Sequence, residues 1–178
     1  NQAKQALNKD VIDDKQWEKV KVLELYSEKV ETLLKEAGVD VAADKRTERP
    51  PLCQASIDGK IELVGYLINE DHDVNQGDLA DRCTPLMRAS QKGHTEVVQL
   101  LLENQANVNQ SNRFGSAPLH MASEKGYTDV VRRLVNANGV DVNQSDHHGL
   151  TPLLMASDKG HTEVVRLLVN AYGVDVNK

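Results

Sequence analysis

The stretch Thr84–Asn109, TPLMRASQKGHTEVVQLLLENQANVN, decides how the rest of the chain is read. Thr84 sets a hydroxyl ahead of Pro85, and a proline costs nothing at the first helical position because the N–H there has no intrahelical acceptor anyway. A short helix beginning at Pro85 is predicted. Leu86, Ala89 and Ser90 fall at i, i+3 and i+4, forming a narrow face of small residues that lets a neighbouring helix approach closely. Gly93 follows where a left-handed residue would end that helix and turn the chain. Thr95-Glu96 then reads as a cap hydroxyl followed by an acid suited to the positive end of a second helix. Val97, Val98, Leu101 and Leu102 give that helix an aliphatic core face. The unit is helix, turn, helix and then an exposed polar finger.

Three other stretches repeat it. Pro51, Pro85, Pro118 and Pro152 recur at intervals of 34, 33 and 34 residues, and Ala55, Ala89, Ala122 and Ala156 keep the same register. So do Gly59, Gly93, Gly126 and Gly160, and so do Asn75, Asn109, Asn143 and Asn177. The copies are PPLCQASIDGKIELVGYLINEDHDVN from Pro50, APLHMASEKGYTDVVRRLVNANGVDVN from Ala117 and TPLLMASDKGHTEVVRLLVNAYGVDVN from Thr151. Gly139 and Gly173 are read as closing the second helix in the last two copies. Helices this short are marginal alone, so neighbours must stack and share an aliphatic interface.

Composition supports a thin, repetitive core. Aromatic residues make up 3% of the 178-residue chain, which leaves Trp17, Phe114 and four tyrosines to do what a bulky central core usually asks of many. A net charge of -6 repels nucleic-acid phosphate, and no apolar run is long enough to span a bilayer. Neither nucleic acid nor membrane insertion is expected. Cys53 and Cys83 form no Cys-x-x-Cys pair and no disulfide-scaffold pattern, which points to a reduced, intracellular and cytoplasmic setting. Cys53 is read as a partly buried helix residue and Cys83 as an exposed thiol.

At these residues the sequence resembles the ankyrin-repeat family, whose unit of about 33 residues runs Thr-Pro-Leu-His-x-Ala, Gly-His, a Val/Leu-rich helix and an Asp-Val-Asn finger. The resemblance implies an all-α solenoid of stacked helix-turn-helix units with β-turn or hairpin fingers. Full units are assigned to residues 44–77, 78–111, 112–145 and 146–178, after an N-terminal segment, 1–43, that holds a degenerate capping unit. In that segment EKVETLLKEAGVDVAA aligns with TEVVRLLVNAYGVDVN, and Trp17 is expected to cover the end of the stack. The array is expected to continue beyond Lys178.

The departures are local. The family histidine survives only as His120, with Cys53, Met87 and Leu154 in its place elsewhere. Pro50 and Ala117 replace the capping threonine, at about 1 kcal/mol each. Arg88 stands where an apolar residue is usual and is either snorkelling or facing a partner. The finger Asp78 to Cys83 is one residue longer than Asn112 to Ser116 or Asp146 to Leu150 and lacks their glycine, so an altered tip is expected.

Candidate chemistry is sparse. His94 and His161 open second helices with no recurring nucleophile or carboxylate beside them, and Lys60 and Tyr127 occupy the same slot, so they read as connectors. Asp146, His147 and His148 are the most metal-like group, but adjacent histidines in one turn seldom reach a single ion. There is no phosphate loop or Ser-His-Asp arrangement. No catalytic residue, metal site or cofactor is assigned.

What remains is a surface. In ankyrin repeats the concave strip of finger tips and first-helix ends usually grips a protein partner. Carried over by position, it comprises Leu79, Ala80, Arg82, Asn112, Arg113, Phe114, Ser116, His147, His148 and Leu150 on the fingers. On the helices it comprises Arg88, Gln91, Lys92, Glu124, Lys125, Asp158 and Lys159. Phe114 is either the hot spot of that strip or packed on the adjacent finger. The expectation is a monomeric, non-catalytic protein-binding module of unidentified partner. The alternative is the recruitment arm of a larger enzyme or channel.

Overall fold

The computed structural model describes residues 49–171 and 173–176, which belong to one compact unit. The degenerate unit within 1–43, Trp17 and Asn177 lie outside the described residues. Among the described residues the chain forms eight helices and no strand. The helices are α1 (Pro51–Asp58), α2 (Ile61–Asn69), α3 (Pro85–Lys92), α4 (Thr95–Glu103), α5 (Pro118–Lys125), α6 (Thr128–Val135), α7 (Pro152–Asp158) and α8 (Thr162–Val169). Each first helix packs on the first helix of the next unit, and each second helix does likewise in a second row.

The starts of the first helices follow the reading. Thr84 Oγ1 accepts from Met87 N at 3.3 Å and Thr151 Oγ1 from Leu154 N at 3.3 Å, whereas Pro50 offers no side-chain cap. Ala117 is rescued in part by His120, whose Nδ1 accepts the Ala117 N–H at 3.1 Å. The second helices differ from expectation. Their N-cap positions are Lys60, His94, Tyr127 and His161, none of which caps through its side chain, and the threonines sit one residue inside. At three of them the side chain reaches back to the preceding unit instead, the Tyr127 ring packing on Gly93 and the two histidines making hydrogen bonds. His94 Nε2 donates to Ile57 O at 2.8 Å and His161 Nε2 to Glu124 O at 2.9 Å.

The glycines explain why that reach is possible. Gly59 and Gly126 have φ of +68° and +75°, and a Cβ on either would lie 2.6 Å from the ring of His94 or His161. Glycine is needed twice over, for the turn and for the ring of the next unit. Gly139 has another task from the one expected. Helix α6 ends at Val135, where Asn136 Nδ2 donates to Arg132 O at 2.9 Å, and Gly139 presents its carbonyl further along.

The core is the sum of thin layers. Ala55, Ala89, Ala122 and Ala156 are fully buried where first helices meet, and Leu67, Leu101, Leu134 and Leu168 are fully buried on the second helices. A ladder of asparagines ties unit to unit. Asn75 Oδ1 accepts from Asn107 N at 2.7 Å, Asn109 Oδ1 from Asp141 N at 2.8 Å and Asn143 Oδ1 from Asp175 N at 2.7 Å. Asn109 Nδ2 also donates to Gly139 O at 2.7 Å.

Candidate functional site

Each finger is built on a side chain that folds back on its own backbone. Asn112 Oδ1 accepts from Phe114 N at 2.9 Å and Ser116 N at 3.0 Å, and Asp146 Oδ1 accepts from His148 N at 2.8 Å and Leu150 N at 2.9 Å. Asp78 does the same in the longer finger, accepting from Asp81 N at 3.1 Å and Cys83 N at 3.4 Å. Arg82 there takes the left-handed conformation, φ +61°, that Gly115 and Gly149 take elsewhere. Neighbouring fingers are then joined tip to tip, Arg113 N donating to Asp81 O at 2.8 Å and His147 N to Phe114 O at 3.0 Å.

This geometry corrects three of the predicted contact residues. Asn112 and Ser116 are buried, since one forms the inside of its turn and the other closes it. Arg88 is buried as well, neither snorkelling nor facing outwards. Its Nε and Nη2 donate to Asp78 Oδ2 at 3.0 and 2.5 Å, its Nη2 to Asp81 Oδ2 at 3.0 Å and its Nη1 to Gln91 Oε1 at 3.1 Å. The guanidinium thus clamps the extra-long finger to α3. Burial alone would raise the Asp78 carboxyl, but the Arg88 hydrogen bonds and the two backbone amides outweigh it and hold the group below the usual carboxylate range.

Cys83 is buried too, not exposed, with its sulfur accepting from Asn112 Nδ2 at 3.5 Å. Cys53 is fully buried, and burial with the nearby Asp78 charge pushes its thiol up to about 12. Neither sulfur is an accessible nucleophile.

The remaining predicted residues do lie at the surface. Leu79 is 68% exposed, Phe114 54% and Leu150 41%, while Ala80, Arg82, Arg113, His147 and His148 are exposed beside them. Lys92, Lys125, Asp158 and Lys159 are exposed on the helices, with Gln91 and Glu124 half-buried. Fingers and first helices share one face, because Leu150 of a finger, Glu124 of α5, Met155 and Asp158 of α7 and Lys159 just after it line a single cleft of about 460 Å3. Leu154, 41% exposed, also lines it and is absent from the predicted set. Its position reads as framework in the repeat pattern, and nothing in the sequence separates it from buried Met87 and His120.

His120 is held in one protonation state. Since a backbone N–H can only donate, Nδ1 must be the acceptor for Ala117, so Nε2 carries the proton and donates to Leu150 O at 3.1 Å. Burial lowers its pKa, while the Leu150 and Gln144 carbonyls and the Asp146 and Asp141 charges work against that. The folded chain therefore binds fewer protons at this site than the unfolded chain just below about pH 6.5. Stability is complete above that pH and is expected to decline as pH falls through it. His120→Gln should flatten the decline between pH 7 and 5 in urea titrations; an unchanged slope would reject this assignment.

Among the described residues no group of His, Cys, Asp or Glu is arranged to hold a metal, and Asp146 is occupied by its own finger amides. Nor is any described helix long and apolar enough to cross a membrane. A family profile described as ankyrin repeats, in three copies, matches residues 22–112 and 105–178. The chain belongs to the ankyrin-repeat family. A search of the curated proteins finds no match. The ankyrin match extends upstream of the described residues and includes the whole stretch EKVETLLKEAGVDVAA aligned above as part of a degenerate unit. Ankyrin repeats are in general protein-interaction modules, and in this one Arg88, itself a departure from the pattern, pairs with Asp78 and Asp81 of the longer finger.

Proposed function

We propose that this ankyrin-repeat chain is a non-catalytic module that binds a protein partner along the concave strip of its fingers and first helices, acting as a monomer in the cytoplasm. The observation that carries the reading is Phe114: an aromatic more than half exposed on a finger whose backbone is hydrogen-bonded to both neighbouring fingers. A rigid, exposed aromatic loses little freedom on binding and is the commonest kind of interface anchor. The absence of catalysis is supported by where the candidate groups are engaged, since His94, His120, His161 and Asp146 all serve inter-unit or finger hydrogen bonds. Free Cys53 and Cys83 suit the reduced setting.

The test is affinity capture with the wild-type chain and with Arg113→Ala/Phe114→Ala in parallel, followed by mass spectrometry. Proteins retained by the wild type should be lost from the double variant, with thermal stability nearly unchanged because both side chains are exposed. Equal retention by both would reject this face as the binding surface.

A further inference from the structure

We infer that the segment seated on this face is acidic and carries an apolar anchor, an inference that rests on the binding reading above. The chain as a whole is acidic, with a net charge of -6, but the charge is unevenly placed. The second helices and the turns behind them carry ten carboxylates, Glu62, Glu96, Glu103 and Glu163 among them, against Lys60, Arg132, Arg133 and Arg166. On the finger side the acids are largely withdrawn. Asp78 and Asp81 share the single guanidinium of Arg88, which offsets one of their two charges, and Asp146 is turned inward onto backbone amides.

Two of the remaining acids of the finger side are paired with cations, Glu124 with Lys125 at 3.4 Å and Asp158 with Lys159 at 3.3 Å, while Asp58 accepts only from the neutral Gln54 Nε2 at 2.9 Å. Three cations are left with no carboxylate partner among the described residues: Arg82, Lys92 and Arg113. Two of them stand on adjacent joined fingers: Arg113 N bonds Asp81 O, the Arg113 guanidinium donates to Leu79 O at 3.2 Å, and Arg82 follows Asp81 in the chain. Lys92 ends α3, the helix to which Arg88 clamps the first of those fingers. Leu79 and Phe114, the two most exposed of the large apolar side chains on the fingers, stand on the same two fingers as Arg82 and Arg113.

A ligand complementary to that patch places carboxylates opposite the three cations and an aliphatic or aromatic side chain against Phe114. A long polyanion fits less well, because three cations neutralise few phosphates and the acidic outer row repels the rest. An acidic peptide segment needs only a local match.

The experiment is selection of a random-peptide display library on the folded chain, followed by fluorescence anisotropy with the leading synthetic peptides and with a single-stranded oligonucleotide. Selected peptides should be rich in Asp and Glu around a Leu, Phe or Trp, and their binding should weaken as salt is raised. The triple variant Arg82→Glu/Lys92→Glu/Arg113→Glu should weaken it about tenfold or more. Arg132→Glu/Arg133→Glu, on the other row, should leave it unchanged, and circular dichroism of both variants checks that they fold. Neutral or basic peptides that still lose binding on Phe114→Ala would overturn the acidic inference while leaving the face assignment standing. Peptides indifferent to both Phe114→Ala and the charge reversal would sink the face assignment itself. Failure to enrich any peptide, or tighter binding of the oligonucleotide, would also overturn the inference.

Discussion

Leu101→Ala is expected to lower unfolding free energy by about 2–5 kcal/mol, read from urea titration by circular dichroism. Leu101 is fully buried on α4, and α4 packs against α3 and against the second helices on both sides, α2 and α6. Truncation removes its transfer free energy and leaves a cavity that short, hydrogen-bonded helices cannot easily close. Its carbonyl also accepts the Asn104 and Ala106 N–H groups, which tie down the turn after the helix and limit how far the backbone can relax. In a solenoid the damage is local to one unit but touches two interfaces, so cooperativity between the flanking units should fall with it. The matching Leu168→Ala in α8 touches fewer described neighbours and should cost less. A loss below about 1 kcal/mol at Leu101 would contradict the layer-by-layer account of the core.

The helix starts and the buried rows were legible because they obey short rules. A proline after a threonine, an alanine three residues on and a glycine two turns later are periodic, and periodicity averages out local exceptions. The roles of single polar side chains were less legible. The glycine-histidine pairs read as connectors, but nothing local says that His94 reaches Ile57 O across to the preceding unit. The recurring asparagines could be placed in register, yet that Asn109 bridges to Asp141 and Gly139 depends on how units stack, not on their own sequence. Asn112 and Ser116 were misplaced for a similar reason: exposure in a turn depends on which way a side chain folds, and an Asx residue at the start of a finger folds inward. The burial of Arg88 is not legible in its own helix because its charged partners are Asp78 and Asp81 of the finger before it.

That clamp makes Arg88 the second large effect. Arg88→Met is expected to cost about 3 kcal/mol at pH 7, because it leaves the buried Asp78 carboxylate with only two backbone amides. The apolar side chain itself suits the position, as Met121 and Met155 stand there in the next two units. The loss therefore comes from the stranded charge more than from packing. Two consequences separate these causes. With Arg88 gone the Asp78 carboxyl is no longer held down, so it should take up a proton more readily in the folded state. The gap between variant and wild type should then narrow as pH is lowered, because wild-type stability that depends on a depressed Asp78 pKa is itself lost in acid. Asp78→Asn/Arg88→Met, which removes both charges and keeps the finger amides supplied by the Asn oxygen, should recover much of the loss. The finger should loosen as well, since Asp81 loses Arg88 and Arg113 N bonds Asp81 O; faster hydrogen exchange at Arg113 would report it. If Arg88→Met were as stable as the wild type at pH 7, the buried pair would be neutral in balance and the altered finger would owe its shape to the left-handed Arg82 and the Asp78 turn alone.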